Sequence, residues 1–121
     1  MDKAQTGMRG ELAAARYLRE KGFTILSANY RCRLGEIDII ASDRAYICFV
    51  EVKTRSPQML GKPADAVDAV KRKKLLAAAS RYLSQNPTNL QPRFDVVEVY
   101  VRDGAVLRVR HIPNAFDGEG L

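Results

Sequence analysis

Two runs near the middle of the chain, EIDIIA at 36–41 and AYICFVEVKT at 45–54, constrain the fold more than any other feature. Both are rich in β-branched and aromatic residues. They are separated only by Ser42, Asp43 and Arg44, so they are expected to pair as an antiparallel hairpin. Side chains along a strand alternate between two faces. Glu36 and Asp38 should therefore share one face, with Ile37 and Ile39 on the other. Glu51 and Lys53 should likewise share a face, with Val50 and Val52 opposite. A hairpin closing around Asp43 and Arg44 gives paired residue numbers that sum to about 87–89, which sets Asp38 opposite or diagonal to Glu51, about 4.5–8 Å away between Cβ atoms.

That pairing gathers three carboxylates and a lysine on one patch of sheet. Like charges at this range raise one another's pKa and oppose folding. A hard divalent cation removes the conflict, because Mg²⁺ accepts oxygen ligands from one or two carboxylates and keeps several waters. Such an ion lowers the pKa of a water nucleophile and polarises a phosphoryl oxygen. Lys53 beside it would orient that water and offset charge developing on a phosphate. A Glu-Val-Lys triplet alone is common on solvent-facing strands. Phe49, Val50 and Val52 mark this strand as buried, however, and charges on a buried strand need partners.

The remaining elements place this hairpin in a larger frame. Met8, Glu11, Leu12, Ala15 and Leu18 recur at helical spacing and predict a helix over 5–21, ended by Lys21-Gly22. Packed through that stripe, it would aim Glu11 at the sheet as a ligand or water-holder. Residues 23–26 read as a short strand or extended entry, 29–35 as a polar, basic loop, and 56–63 as a loop. A long helix is expected over 64–85, ended by Asn86-Pro87. Strands at 93–101 and 105–112 follow, joined at Asp103-Gly104, and 113–121 is expected to be a weakly structured tail. The order α-β-β-β-α-β-β predicts a mixed central sheet flanked by helices, in one α/β domain.

The chain has 121 residues, enough for one domain, and carries 20 Lys and Arg against 14 Asp and Glu, a formal +6. A basic globular domain points to an anionic partner, most often nucleic acid. Arg31 and Arg33 in the polar loop, with Lys71 and Lys74 in the long helix, are the residues expected to bind it. No run is apolar and long enough for a membrane helix, and the charged N-terminus lacks the apolar core of a secretory signal, so a cytoplasmic location is expected. Cys32 and Cys48 then read as reduced thiols with no zinc-ligand spacing. His111, the only histidine, reads as structural or surface-exposed. No serine, cysteine or threonine has a base placed to make it a nucleophile.

The combination of Gly10-Glu11, Asn29-Tyr30-Arg31, GEID at 35–38, FVEVKTR at 49–55 and RFDVV at 93–97 spans nearly the whole chain. It resembles the YraN-like bacterial family of predicted endonucleases, related to Holliday-junction resolvases in the PD-(D/E)xK nuclease superfamily. The resemblance implies a restriction-endonuclease-like core. It implies Asp38 and Glu51 as ligands of Mg²⁺ (or Mn²⁺), Lys53 as the catalytic lysine, Glu11 as an accessory acid, and Glu36 and Arg55 as site-lining residues. Ile37 stands where the superfamily has its name-giving proline. Arg93 and Asp95 match an RFD motif that serves either as a structural pair or in the site. The expected function is Mg²⁺-dependent hydrolysis of phosphodiester bonds in DNA, branched or structured DNA included, with a homodimer where the substrate is two-fold symmetric. The alternative is a non-catalytic nucleic-acid-binding module on the same fold.

Overall fold

Helix α1 (Lys3–Glu20) leads into three strands, β1 (Thr24–Cys32), β2 (Gly35–Ser42) and β3 (Tyr46–Arg55). A short 3₁₀ turn (Pro57–Met59), helix α2 (Ala69–Gln85), β4 (Gln91–Arg102) and β5 (Ala105–Phe116) complete the computed structural model, which describes residues 3–61 and 67–118. The strands form one sheet in the order β1-β2-β3-β4-β5. All neighbours are antiparallel except β3 and β4. A parallel pair needs a crossover, and the segment containing α2 supplies it. Among the described residues, no helix is long and apolar enough to cross a membrane.

The hairpin at the centre has the register that the sequence symmetry gives, from Ile39↔Val50 to Ser42↔Ile47. Asp43 fixes its turn, since its carboxylate accepts the N–H groups of Ala45 and Tyr46, each at 2.8 Å. Alternation along β3 divides the core between two layers. Ile47 and Phe49 face α2, joining Leu75, Ala78 and Ala79, whereas Cys48 and Val50 face α1, joining Ala14, Ala15 and Leu18. The polar residues of β3 are thus carried on a strand covered on both faces.

Helix α1 is rotated from the expected stripe. Met8 and Leu12 are 64% and 65% exposed, and the buried positions are Gly10, Ala14, Ala15 and Leu18. Small residues explain the difference. A Cβ at Gly10 would collide with the Thr54 hydroxyl, so the helix sits closer to β3 than a stripe of large side chains would allow. The end of α1 is a Schellman motif, with Phe23 N–H to Leu18 O and Gly22 N–H to Arg19 O, both 3.0 Å, and Gly22 at φ 96°.

Three further expectations are corrected. Residues 29–32 continue β1 and pair with β2, leaving only Arg33 and Leu34 as the turn. Their polar side chains hid a strand whose partner face is half exposed. Helix α2 begins at Ala69, where Asp68 caps it by accepting the Lys71 N–H at 2.9 Å. The expected start at 64–66 lies outside the described residues. Strand β5 runs to Phe116, whose ring stacks on Phe94 at 4.8 Å and anchors the exposed residues 113–115, so 113–116 is not a loose tail.

Candidate active site at the end of the β2–β3 ladder

The paired ladder between β2 and β3 stops at Ile39↔Val50. One step further it would oppose Asp38 to Glu51. Here the strands depart from regular pairing, and the Asp38 carboxylate itself accepts the Val52 N–H at 2.8 Å. A side chain thus replaces a ladder bond, and the backbone donor stays satisfied where the strands part. The alternation of β2 breaks at the same residue. Ile37 packs in the layer under α2 and Ile39 in the layer under α1, although two residues apart they should share a face. Across the β1–β2 ladder, the position between Ala28↔Ile39 and Tyr30↔Ile37 is Asn29, with φ 55°. The break corrects the expectation that Ile37 and Ile39 share a face. Glu36 is exposed, 3.5 Å from Arg31.

Asp38 sits in an acidic environment. Loss of solvent is the main influence and pushes its carboxyl up to about 6; the Val52 N–H opposes this, and the charges of Glu51 and Glu11 push it further up. Glu51 is buried on the α2 face of β3, and Lys71 of α2 reaches over to form an ion pair with it. The hydrogen bond to Glu51 raises the Lys71 ammonium above the usual lysine range; burial works against it, and the charges of Glu51, Asp38 and Asp68 add to the rise. The structure therefore brings together Glu11, Asp38 and Glu51 of the expected site, and adds Lys71, which the sequence placed only in a nucleic-acid groove. Lys53 follows Glu51 by two positions, partly buried, and lies next to Glu98 across the parallel ladder. Arg55, two positions further on, pairs with Glu98 at 2.6 Å.

Beside the acids lies a groove of about 970 Å³ between the β1–β2 turn and the start of α2. Its walls include Arg31, Arg33 and Leu34 on one side and Val70, Lys71 and Lys74 on the other. All four basic residues expected to contact nucleic acid thus line one cleft, although they come from two segments about forty residues apart in sequence. Gly35 lets the walls meet, since a Cβ there would lie 3.0 Å from the Lys74 carbonyl oxygen.

The donor set suits a hard divalent ion held by two carboxylates, Asp38 and Glu51, with water completing the shell. A cation already drawn onto Glu51, and a carboxyl raised first by loss of solvent and further by the charges of Glu51 and Glu11, are the observations that fit it. Among the described residues, no three carboxylate, imidazole or thiol groups converge into a closed cage.

Two carboxylates lie buried in the core: Glu98, which no motif marked, and Asp95, which takes the structural-pair alternative of the RFD motif. Glu98 is ringed by Arg55, Arg110 at 3.5 Å and the Tyr100 hydroxyl at 3.2 Å. Its signal was present in the alternation of Val96, Glu98 and Tyr100, a charge within an apolar strand. Asp95 accepts two bonds from Arg93 at 2.9 Å, one contact from His111 Nε2 at 2.8 Å and the Asn114 N–H at 3.0 Å. Burial pushes Asp95 up, but the bonds from His111, Arg93 and Asn114 outweigh it and hold the carboxyl below its usual range. His111 also packs edge-on against Tyr17 and Phe23. The Arg93–Asp95 pair and His111 tie β4 to β5 and the end of α1, in the layer opposite the Glu51–Lys71 pair.

The fold and site define a mixed α/β protein in which two helices cover a five-stranded sheet and an acidic notch opens at the end of its central hairpin. The model of the uncharacterised protein family UPF0102 matches residues 10–99. The UPF0102 protein of Caldanaerobacter subterraneus is 44% identical over 119 residues, covering 96% of this chain and 98% of that relative. The UPF0102 protein of Clostridioides difficile is 47% identical over 117 residues, covering 96% of this chain and 100% of that relative. The chain belongs to the UPF0102 family.

Proposed function

We propose that this protein is a Mg²⁺-dependent endonuclease of the PD-(D/E)xK type that hydrolyses phosphodiester bonds in DNA, branched or structured DNA included. The observation that carries the reading is the pair Asp38 and Glu51, which act on each other's charge where the β2–β3 ladder ends and are joined through Lys71 to the wall of a cleft lined by four basic residues. A binding surface alone gains nothing from carboxylates facing a polyanion. Phosphodiester hydrolysis gains from them, because a divalent ion bound there supplies charge neutralisation on the phosphate and acidifies water.

The chain's own residues divide the remaining work. Asp38 and Glu51 would hold the ion, and the Val52 N–H keeps the Asp38 carboxylate oriented. Lys53 orients the attacking water and offsets the charge that builds on the phosphate. Glu11, whose charge already acts on Asp38, adds to the negative potential that draws the ion in. Arg31, Arg33 and Lys74 take flanking backbone phosphates, which positions the strand without reading its bases. Substrates with two-fold symmetry would engage two copies of the chain.

The test is cleavage of plasmid, single-stranded and four-way-junction DNA by purified protein with Mg²⁺ or Mn²⁺. Metal-dependent cleavage lost in Lys53→Ala and Asp38→Asn is the expected result. Salt-sensitive binding that Glu51→Gln leaves intact, with no cleavage above those controls on any substrate, would replace this reading with a non-catalytic binding module.

A further inference from the structure

Lys71 occupies a position that general helix physics disfavours. It lies in the first turn of α2, followed by Arg72, Lys73 and Lys74, and that turn carries no acidic residue. A helix N-terminus bears partial positive charge, so cations there are repelled by the backbone. Lys71 turns back to the sheet at Glu51. Its ammonium pairs with Glu51, whose side chain is 8% exposed, and its charge also acts on Asp38. Half of the Lys71 side chain remains exposed, and it forms part of the cleft wall. A flexible four-carbon stem joins the two locations.

We propose that Lys71 is a built-in counter-cation of the acidic notch, which a divalent ion displaces from Glu51 and which then turns into the cleft to meet a substrate phosphate. The inference rests on the metal reading of Asp38 and Glu51 given above and assigns a role to a residue of the helix that covers Glu51. Without an ion, the ammonium offsets the repulsion between the two carboxylates and keeps the empty site folded. With an ion bound, the same repulsion is removed by a divalent charge, and the lysine is released where a polyanion lies. Occupancy of the metal site and of the phosphate site are thereby coupled: each cation has one place to go when the other arrives.

Binding of Mn²⁺ alone, followed by isothermal titration calorimetry on the full chain without DNA, tests this. Removal of the competing ammonium in Lys71→Ala should tighten Mn²⁺ binding about tenfold, the scale of one charge-assisted hydrogen bond. Lys71→Gln, which keeps the stem and drops the charge, should show the same gain. Lys74→Ala makes the same change in net charge on the same helix and should stay within about twofold of wild type, since long-range surface charge is largely screened. Equal affinity in Lys71→Ala and wild type overturns the displacement while leaving the metal site in place. An equal gain in Lys74→Ala overturns it as well, by reducing the effect to net charge. Binding that Glu51→Gln does not weaken removes the metal site itself, and the displacement with it. Thermal melts of each variant without metal confirm that the affinities compare folded proteins.

Discussion

Asp38→Asn should make the protein more stable at neutral pH, and the size of the gain follows from the electrostatics of the notch. The Asp38 carboxyl moves from an ordinary 3.8 to about 6, first through loss of solvent and then through the charges of Glu51 and Glu11. The folded state therefore holds a proton more tightly than the unfolded chain does. Stability contributed at this residue falls as pH rises from about 4 through about 6, and is flat above, because only the folded form must then carry a disfavoured charge. At 1.36 kcal/mol for each unit, the displacement amounts to at most about 3 kcal/mol. Partial solvent contact and relaxation of the notch reduce this to roughly 1–3 kcal/mol, or several degrees in melting temperature for a domain of this length. Asparagine keeps an oxygen that can accept the Val52 N–H, so the local backbone should hold. Urea denaturation of both proteins at pH 4 to 8, in the presence of a chelator, measures the difference. Near-equality is expected at pH 4, with a growing advantage for the variant up to about pH 6–7. A difference that does not change with pH, or a variant weaker at pH 8 than at pH 4 relative to wild type, would refute it.

Three further outcomes follow from the packing. Gly10→Ala should destabilise the fold by about 1–3 kcal/mol despite alanine's better helix propensity, because the new methyl meets the Thr54 hydroxyl; Thr54→Ala should restore much of the loss in the double variant, measured by denaturant titration. Glu98→Gln should cost about 3 kcal/mol in the same assay, since it leaves Arg55 and Arg110 facing a neutral group in the interior. Burial, with the charge of Asp95 added, pushes the Cys48 thiol up to about 12, so a thiol reagent at pH 8 should label Cys32 in the folded protein and Cys48 only on unfolding.

The central hairpin was legible because its strands alternate strongly and its turn is short, and that fixed the register that brings Asp38 beside Glu51. What alternation could not reveal was where it fails. The break at Asp38 depends on Asn29 across the ladder in a left-handed conformation and on a carboxylate taking over a backbone bond. Neither leaves a mark in a pattern of apolar residues. Helix α1 was misread in orientation for a related reason: Met8 and Leu12 dominate a hydrophobic pattern, whereas Gly10 and Ala14, which make the closest approach, contribute little to one. Glu11 nonetheless keeps its influence on Asp38, because it adjoins Gly10 on the helix turn that meets β3. Lys71 was placed in the cleft, but its second contact, with Glu51, joins residues twenty positions apart through the crossover between β3 and β4. Glu98 carried the same signal as Glu51, a charge within an apolar strand, and resolves into an arginine-held core carboxylate instead.

The most direct test is the position of a manganese ion, located by its anomalous scattering in crystals soaked with Mn²⁺. The account predicts one ion bridging the Asp38 and Glu51 carboxylates at about 2.2 Å, an oxygen-ligand distance between those of Mg²⁺ and Ca²⁺, with the Lys71 ammonium withdrawn from Glu51 into the cleft. No ion between these carboxylates at saturating Mn²⁺, with Lys71 still paired to Glu51, would contradict it.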